Sequence, residues 1–174
     1  MPSFCLRLVF IKRSLSMEKN AMRRKDKEIK DFKLIQKILK KADVCRIALV
    51  DGEKPYIVPM NFAYKENILY LHSATEGRKI GILKKNNQIC FQMDIKTELI
   101  TSEIPCNSGM KYLSVIGYGK AQLIDDLTEK REVLDIIIGK YSLDTCYAYS
   151  QEALEKVLVI KISIDDITGK KSGY

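Results

Sequence analysis

Apolar positions along this chain change period several times, and each change marks an element. Across residues 26–41, Ile29, Phe32, Ile35, Ile38 and Leu39 recur at three- and four-residue steps with lysines opposite, which predicts an amphipathic helix. Residues 45–50 read as a strand that runs into Asp51-Gly52, a hairpin-turn signal. Residues 55–59 and 61–64 continue extended, and Lys65-Glu66-Asn67 turns the chain into a strand over 68–72. A second helix fits 77–85, and strands fit 88–96 and 112–123. A third helix fits 128–141, because Val133, Leu134, Ile137 and Ile138 share a face. A short helix over 151–155 then leads into a last strand over 157–164. No internal repeat is visible. One helix followed by strands with short helices in the crossings predicts a mainly β, α+β chain: an antiparallel β-barrel with peripheral helices. A doubly wound sheet needs regular strand–helix alternation and a Gly-rich first turn, and both are missing.

Composition narrows this picture. The 174 residues are enough to bury one real core, and nine Gly and four Pro are too few for a fibrous chain. No apolar run approaches the roughly 18–20 residues of a membrane span. The formal charge of +8 changes meaning once it is located. Residues 1–27 hold eight cations and two anions, whereas residues 28–174 hold 22 cations and 20 anions. The body is nearly neutral, so charge is weak support for a nucleic-acid partner. Residues 4–11 are apolar but broken by Arg7, and they precede Lys12-Arg13, the reverse of a secretory signal. Met17 and Met22 both read as internal starts, so residues 1–21 are expected to be an extension outside the domain, which then covers 22–174. Five scattered cysteines (Cys5, Cys45, Cys90, Cys106, Cys146) form no CxxC and no Cys/His cluster, so no metal site is expected. Reduced thiols and a cytoplasmic location follow as the simplest expectation.

Three stretches carry candidate chemistry. In the first, His72-Ser73-Ala74-Thr75-Glu76-Gly77-Arg78-Lys79, a strand ends and a helix begins, with Ser73 and Glu76 at capping-box spacing. Arg78 and Lys79 place two cations in the first helical turn, where the helix dipole is already positive. A bound anion removes that conflict, since free backbone N–H groups, hydroxyls and cations together suit a phosphate. A solvated helix start is the competing reading. In the second, Tyr56-Ile57-Val58-Pro59-Met60-Asn61-Phe62, Pro59 cannot donate to a ladder and marks an edge, a bulge or a break. Unpaired backbone there suits the polar edge of a flat heterocycle, but taken alone the stretch is better explained by an ordinary strand-to-strand kink. In the third, strand alternation over 111–121 puts Gly117 and Gly119 on one face with Leu113, Val115 and Ala121. A barrel corner, a neighbouring subunit or a planar ligand each accounts for that bare patch. Cys106 has only Lys111 nearby to activate it and reads as structural. His72, the sole histidine, is either a proton donor or a polar strand end.

Together with residues 22–29 and 114–121, these stretches resemble the 5-nitroimidazole resistance (Nim) family within the pyridoxamine 5′-phosphate oxidase-like flavin proteins. The resemblance runs from about Met22 to the C-terminus. It implies an FMN-binding split β-barrel that forms a homodimer with flavin between the subunits. Ser73, Gly77, Arg78 and Lys79 would hold the phosphate, and the backbone of Val58, Pro59, Met60 and Asn61 would lie along the isoalloxazine. Tyr112 and Ser114 would form the facing wall. The family's flavin-side histidine falls on His72, the implied catalytic residue. The implied activity is reduction of a small nitroaromatic to an amine through FMN, with FAD as a related occupant and with neither nucleic acid nor membrane as partner. Two other readings stand beside it: a flavin- or haem-binding split barrel without turnover, and a pyridoxamine 5′-phosphate oxidase-like oxidoreductase. For the latter no pyridoxal phosphate pocket is placed.

Overall fold

The computed structural model describes residues 22–142 and 147–174. The expected extension and the cysteines Cys5 and Cys146 lie outside the described residues. Strand β1 (Glu28–Ile29) precedes helix α1 (Phe32–Lys41). The helix therefore starts six residues later than the periodicity alone suggests. Asp31 caps it by accepting a hydrogen bond from the Lys33 N–H, and Ile29 is taken by the sheet, opposite Gly169. Then follow β2 (Cys45–Asp51), β3 (Lys54–Met60), β4 (Phe62–Lys65), β5 (Ile68–Ala74) and helix α2 (Arg78–Lys85). The second half comprises β6 (Gln88–Ile100), β7 (Gly109–Ile124), α3 (Leu127–Tyr141), α4 (Gln151–Glu155) and β8 (Val157–Ser172). Strands β6, β7 and β8 run past the stretches that alternation marks; their ends pair with one another and, on β8, also with β1.

All pairings are antiparallel, and the sheet runs β3-β2-β6-β7-β8-β5-β4, with β1 on β8. Strands β3 and β4 lie at opposite ends of that order, yet only Asn61 separates them in sequence. One residue spans a few ångströms, so the two ends of the sheet meet at that corner, and the sheet curls into a barrel that stays split between β3 and β4. This is the split barrel with peripheral helices. Its interior holds Ile47, Leu49, Phe62, Leu69, Leu71, Phe91, Met93, Val115 and Ile160, together with Ile38 and Leu39 of α1 and Ile80 and Leu83 of α2. A second cluster sets Val133 and Ile137 of α3 against Ala63, Tyr70 and Val159 on the sheet. Tyr141 at the end of α3 accepts a hydrogen bond from the Phe62 N–H (2.9 Å) and donates to the Asp43 carbonyl (2.8 Å), which pins the β3–β4 crossing.

The bare patch on β7 is filled by the chain itself. A Cβ on Gly117 would lie 2.3 Å from the Phe91 ring, and one on Gly119 would lie 2.3 Å from the Ser163 carbonyl oxygen. The register of β7 against β8 shifts between Tyr118 and Gly119. Of the three explanations, the barrel corner holds: these glycines admit a ring and a neighbouring strand, leaving no room for a ligand.

Candidate functional site

The end of β5 and the start of α2 form one wall of a cleft of about 450 Å³, within the range of roughly 300–1,000 Å³ typical of small-molecule sites. Tyr56, His72, Ser73, Ala74, Glu76, Gly77, Arg78 and Lys79 line it. Five residues singled out from sequence (His72, Ser73, Gly77, Arg78 and Lys79) thus converge. The capping box does not form. Ser73 is still in β5, opposite Leu158, and the helix N-cap is Gly77, which contributes no side-chain acceptor. At φ 116° and ψ 172° Gly77 has a backbone closed to residues with a Cβ. The turn frees the Ser73 hydroxyl for the cleft and leaves the first N–H groups of α2 uncapped by any side chain.

The electrostatics of the cleft are uneven. Burial and the nearby Lys79 charge lower the His72 pKa, so its imidazole is neutral at physiological pH. The Nδ1 atom of His72 is shut off from solvent and has no hydrogen-bond partner. A buried polar atom left this way costs about 1–3 kcal/mol, which a ligand group bonded to it would recover. Burial also lowers the Lys79 pKa, as expected for an ammonium in a confined wall. Arg78 donates from Nε to Asp51 Oδ2 at 3.1 Å, and its guanidinium carbon stands 4.5 Å from the centre of the Tyr56 ring. Tyr56, Glu76 and Asp51 were not singled out as site residues. The signal for Asp51 and Tyr56 lay in the Asp51-Gly52 turn, which folds the two onto the same face of a hairpin.

The remaining candidates sit elsewhere on this chain. Tyr112 and Ser114 line a second cleft of about 290 Å³ with Gln92, Asp94 and Thr97. Arg46 bonds both Gln92 (3.3 Å) and Asp94 (3.1 Å) beside it. That cleft opens on the outer face of β3, β2, β6 and β7, where Val50, Ile57, Ile116 and Tyr118 stand exposed. Residues 58–61 line neither cleft. Met60 is buried and Val58 packs on the core, so their side chains serve the barrel. Pro59 lies opposite Arg46 on β3, an edge strand, the location proline tolerates. Among the described residues, the outer backbone edge of β3 has no strand partner.

The sequence profile of the pyridoxamine 5′-phosphate oxidase family matches residues 33–171. A crystal structure from Bacteroides thetaiotaomicron, described as that of a candidate 5-nitroimidazole antibiotic resistance protein, is 39% identical, with a TM-score of 0.74 over 83% of this chain and 86% of that one. A flavocytochrome from Azotobacter vinelandii is 20% identical, with a TM-score of 0.79 over 91% of this chain and 75% of that one. A FAD-binding protein from Mesorhizobium loti is 22% identical, with a TM-score of 0.62 over 84% of this chain and 97% of that one. The last two likenesses show the shared fold. No curated protein sequence matches. Among the described residues, no helix is long and apolar enough to cross a membrane.

Proposed function

The chain belongs to the pyridoxamine 5′-phosphate oxidase family, and from that premise we propose that it is a homodimeric, FMN-dependent reductase that converts a small nitroaromatic, of the 5-nitroimidazole type, to its amine. The observation that carries the reading is the cleft at the start of α2. There a neutral imidazole with an unpartnered Nδ1, a serine hydroxyl and two cations meet uncapped helical N–H groups. That donor set suits the phosphate and polar edge of a flavin nucleotide.

Bound flavin supplies the redox chemistry. The chain's own residues bind and orient. Arg78, Lys79, the Ser73 hydroxyl and the backbone at Gly77 would hold the phosphate, and the free edge of β3 from Val58 to Met60, with Asn61 after it, would meet the ring. A neutral His72 accepts a hydrogen bond at one nitrogen and donates from the other, next to a nitro group that gains negative charge as it is reduced. Tyr112 and Ser114 lie in a separate cleft, so they face the ring only when a second copy contributes them. The exposed apolar residues on the same outer face give that copy a surface to cover.

The test is reconstitution with FMN, anaerobic reduction by a reduced nicotinamide dinucleotide or dithionite, and re-oxidation by a 5-nitroimidazole. The amine lies six electrons below the nitro group, and each reduced flavin delivers two. Repeated bleaching and return of the flavin spectrum with excess donor, three two-electron cycles for each amine and two waters formed, supports the reductase. Flavin that is held but never re-oxidised by a nitro compound favours binding without turnover. Replacing Arg78 and Lys79 with Ala should weaken FMN by on the order of 100-fold or more, since two charge-assisted bonds at about 1.5–3 kcal/mol each exceed the roughly 2.7 kcal/mol that 100-fold represents. Unchanged retention would refute the phosphate cradle. A protein that carries full flavin as a monomer would refute the shared groove.

A further inference from the structure

Arg78 touches two groups that the cleft alone does not explain. Its Nε–H is given to Asp51 Oδ2 at 3.1 Å, and its guanidinium lies over the Tyr56 ring, 4.5 Å from the centroid. Both partners belong to the β2–β3 hairpin. Tyr56 pairs with Leu49 and Asp51 with Lys54, so ring and carboxylate are diagonal neighbours on one face. Tyr56 lines the cleft but Asp51 does not. The carboxylate therefore grips Arg78 from behind while the ring supports it from the side.

We infer that Asp51 is a positioning residue: with the Tyr56 ring it sets the Arg78 guanidinium across the mouth of the cleft so that its two terminal amino groups are aimed at an incoming phosphate. The inference rests on the phosphate-binding reading above. A guanidinium has five N–H donors, and only Nε–H is committed to Asp51, which leaves the terminal pair for a two-point contact with phosphate oxygens. The ion pair is half exposed on both sides, at 51% and 39%, so it does little for overall stability. Its effect is on the freedom of a long side chain. An arginine already fixed in one orientation loses less on binding than one that samples many. The negative charge of Asp51 opposes an anion in the cleft, but it is already paired with the Arg78 guanidinium at 3.1 Å, which offsets most of that repulsion. Orientation therefore outweighs repulsion, and removing the carboxylate should weaken phosphate binding.

The experiment compares FMN with riboflavin, which has the same ring system without the phosphate, by quenching of flavin fluorescence. The proteins are wild type, Asp51→Ala, Asp51→Asn, Asp51→Glu, Arg78→Ala and the Asp51→Ala/Arg78→Ala pair. Asp51→Asn keeps the side-chain shape at a turn that tolerates asparagine, which guards against misfolding of the alanine variant. The expected result is that Asp51→Ala and Asp51→Asn each weaken FMN by roughly 3- to 10-fold, the effect of freeing one ordered side chain, with riboflavin unmoved. Asp51→Glu should recover part of the loss, and Asp51→Ala should add nothing when Arg78 is already alanine. An equal loss for FMN and riboflavin overturns the role, because it marks general loosening. Tighter FMN binding also overturns it, because it marks Asp51 as a competitor for Arg78. A wild type that prefers FMN, with variants that keep the whole preference, overturns the positioning role alone. A wild type that binds both flavins alike overturns the phosphate reading, and the positioning role falls with it.

Discussion

Two glycine-to-alanine changes in this chain should have opposite signs, and the difference tests the barrel-corner reading of β7. At Gly119 an added Cβ would sit 2.3 Å from the Ser163 carbonyl oxygen and 3.1 Å from Ile162 Cγ2. The first neighbour is backbone of the paired strand and has no rotamer to change. Relief requires β7 and β8 to part by most of an ångström where their register already shifts. Overpacking of this kind costs about 1–3 kcal/mol, and stretched ladder bonds add about 0.5–1.5 kcal/mol each. A total of about 3 kcal/mol lowers Tm by roughly 6–12 °C for a domain of this size. At Gly139, inside α3, an added Cβ meets nothing within 4 Å. Alanine there should stabilise by about 0.5–1 kcal/mol, because it restricts the unfolded chain and favours helix. Thermal melts followed by far-ultraviolet circular dichroism, with and without flavin, read both effects. Gly119→Ala melting within about 1 °C of wild type while losing flavin would refute the reasoning, since the glycine would then be serving a ligand.

Two further outcomes follow from buried cations. Lys130 is 1% exposed and donates to Asp125 Oδ1 (2.6 Å) and the Leu154 carbonyl (3.2 Å). Asp125→Ala should cost about 1–3 kcal/mol by leaving the ammonium short of a partner, whereas Lys130→Met should be closer to neutral; equal losses in urea titrations would contradict this. Lys140 lies 3.2 Å from the Phe62 ring centroid and donates to the Ala42 carbonyl at 2.6 Å. Burial lowers its pKa to about 8 from the ordinary 10.5. Between those values the unfolded chain binds the proton and the folded chain does not, so this group adds stability as pH rises from about 8 to 10.5. An NMR titration of the Lys140 side chain should show a midpoint near 8, and one that tracks the surface lysines would remove the effect.

Local pattern made most elements legible. The periods of α3, α4 and β2 survive almost unchanged, and alternation over 111–121 sorted inner from outer residues correctly, with Leu113, Val115 and Ala121 buried and Ile116 and Tyr118 exposed. The start of α1 was missed because Ile29 fits a helical stripe as well as a strand, and only β8, some 140 residues on, decides between them. Ser73 and Glu76 satisfied a local spacing rule that pairing with β8 overrode. The phosphate-side residues were visible because they are contiguous from 72 to 79. Asp51 and Tyr56 were not, since their meeting with Arg78 depends on where the hairpin lies against α2. That is a tertiary fact, although the hairpin turn itself could be read.

The same alternation that made the barrel readable also divides the site. Along β3 and β7 every second side chain is committed to the interior, so Val58 and Met60 pack inward, while Tyr112 and Ser114 are left facing outward with Ile116 and Tyr118. The cleft lined by His72, Arg78 and Lys79 lies where β5 meets α2, and its lining includes no residue of β7. A single chain of this topology cannot turn Tyr112 or Ser114 toward His72 without slipping β7 by one residue. That slip would expose Leu113 and Val115 and thrust side chains into the spaces that Gly117 and Gly119 leave for Phe91 and β8. If both sets of residues act on one ring, the second set must therefore come from another copy docked on the outer face. The filled interior of the barrel and the separation of the two clefts then have one cause, the fixed period of two along strands whose inner face is already full.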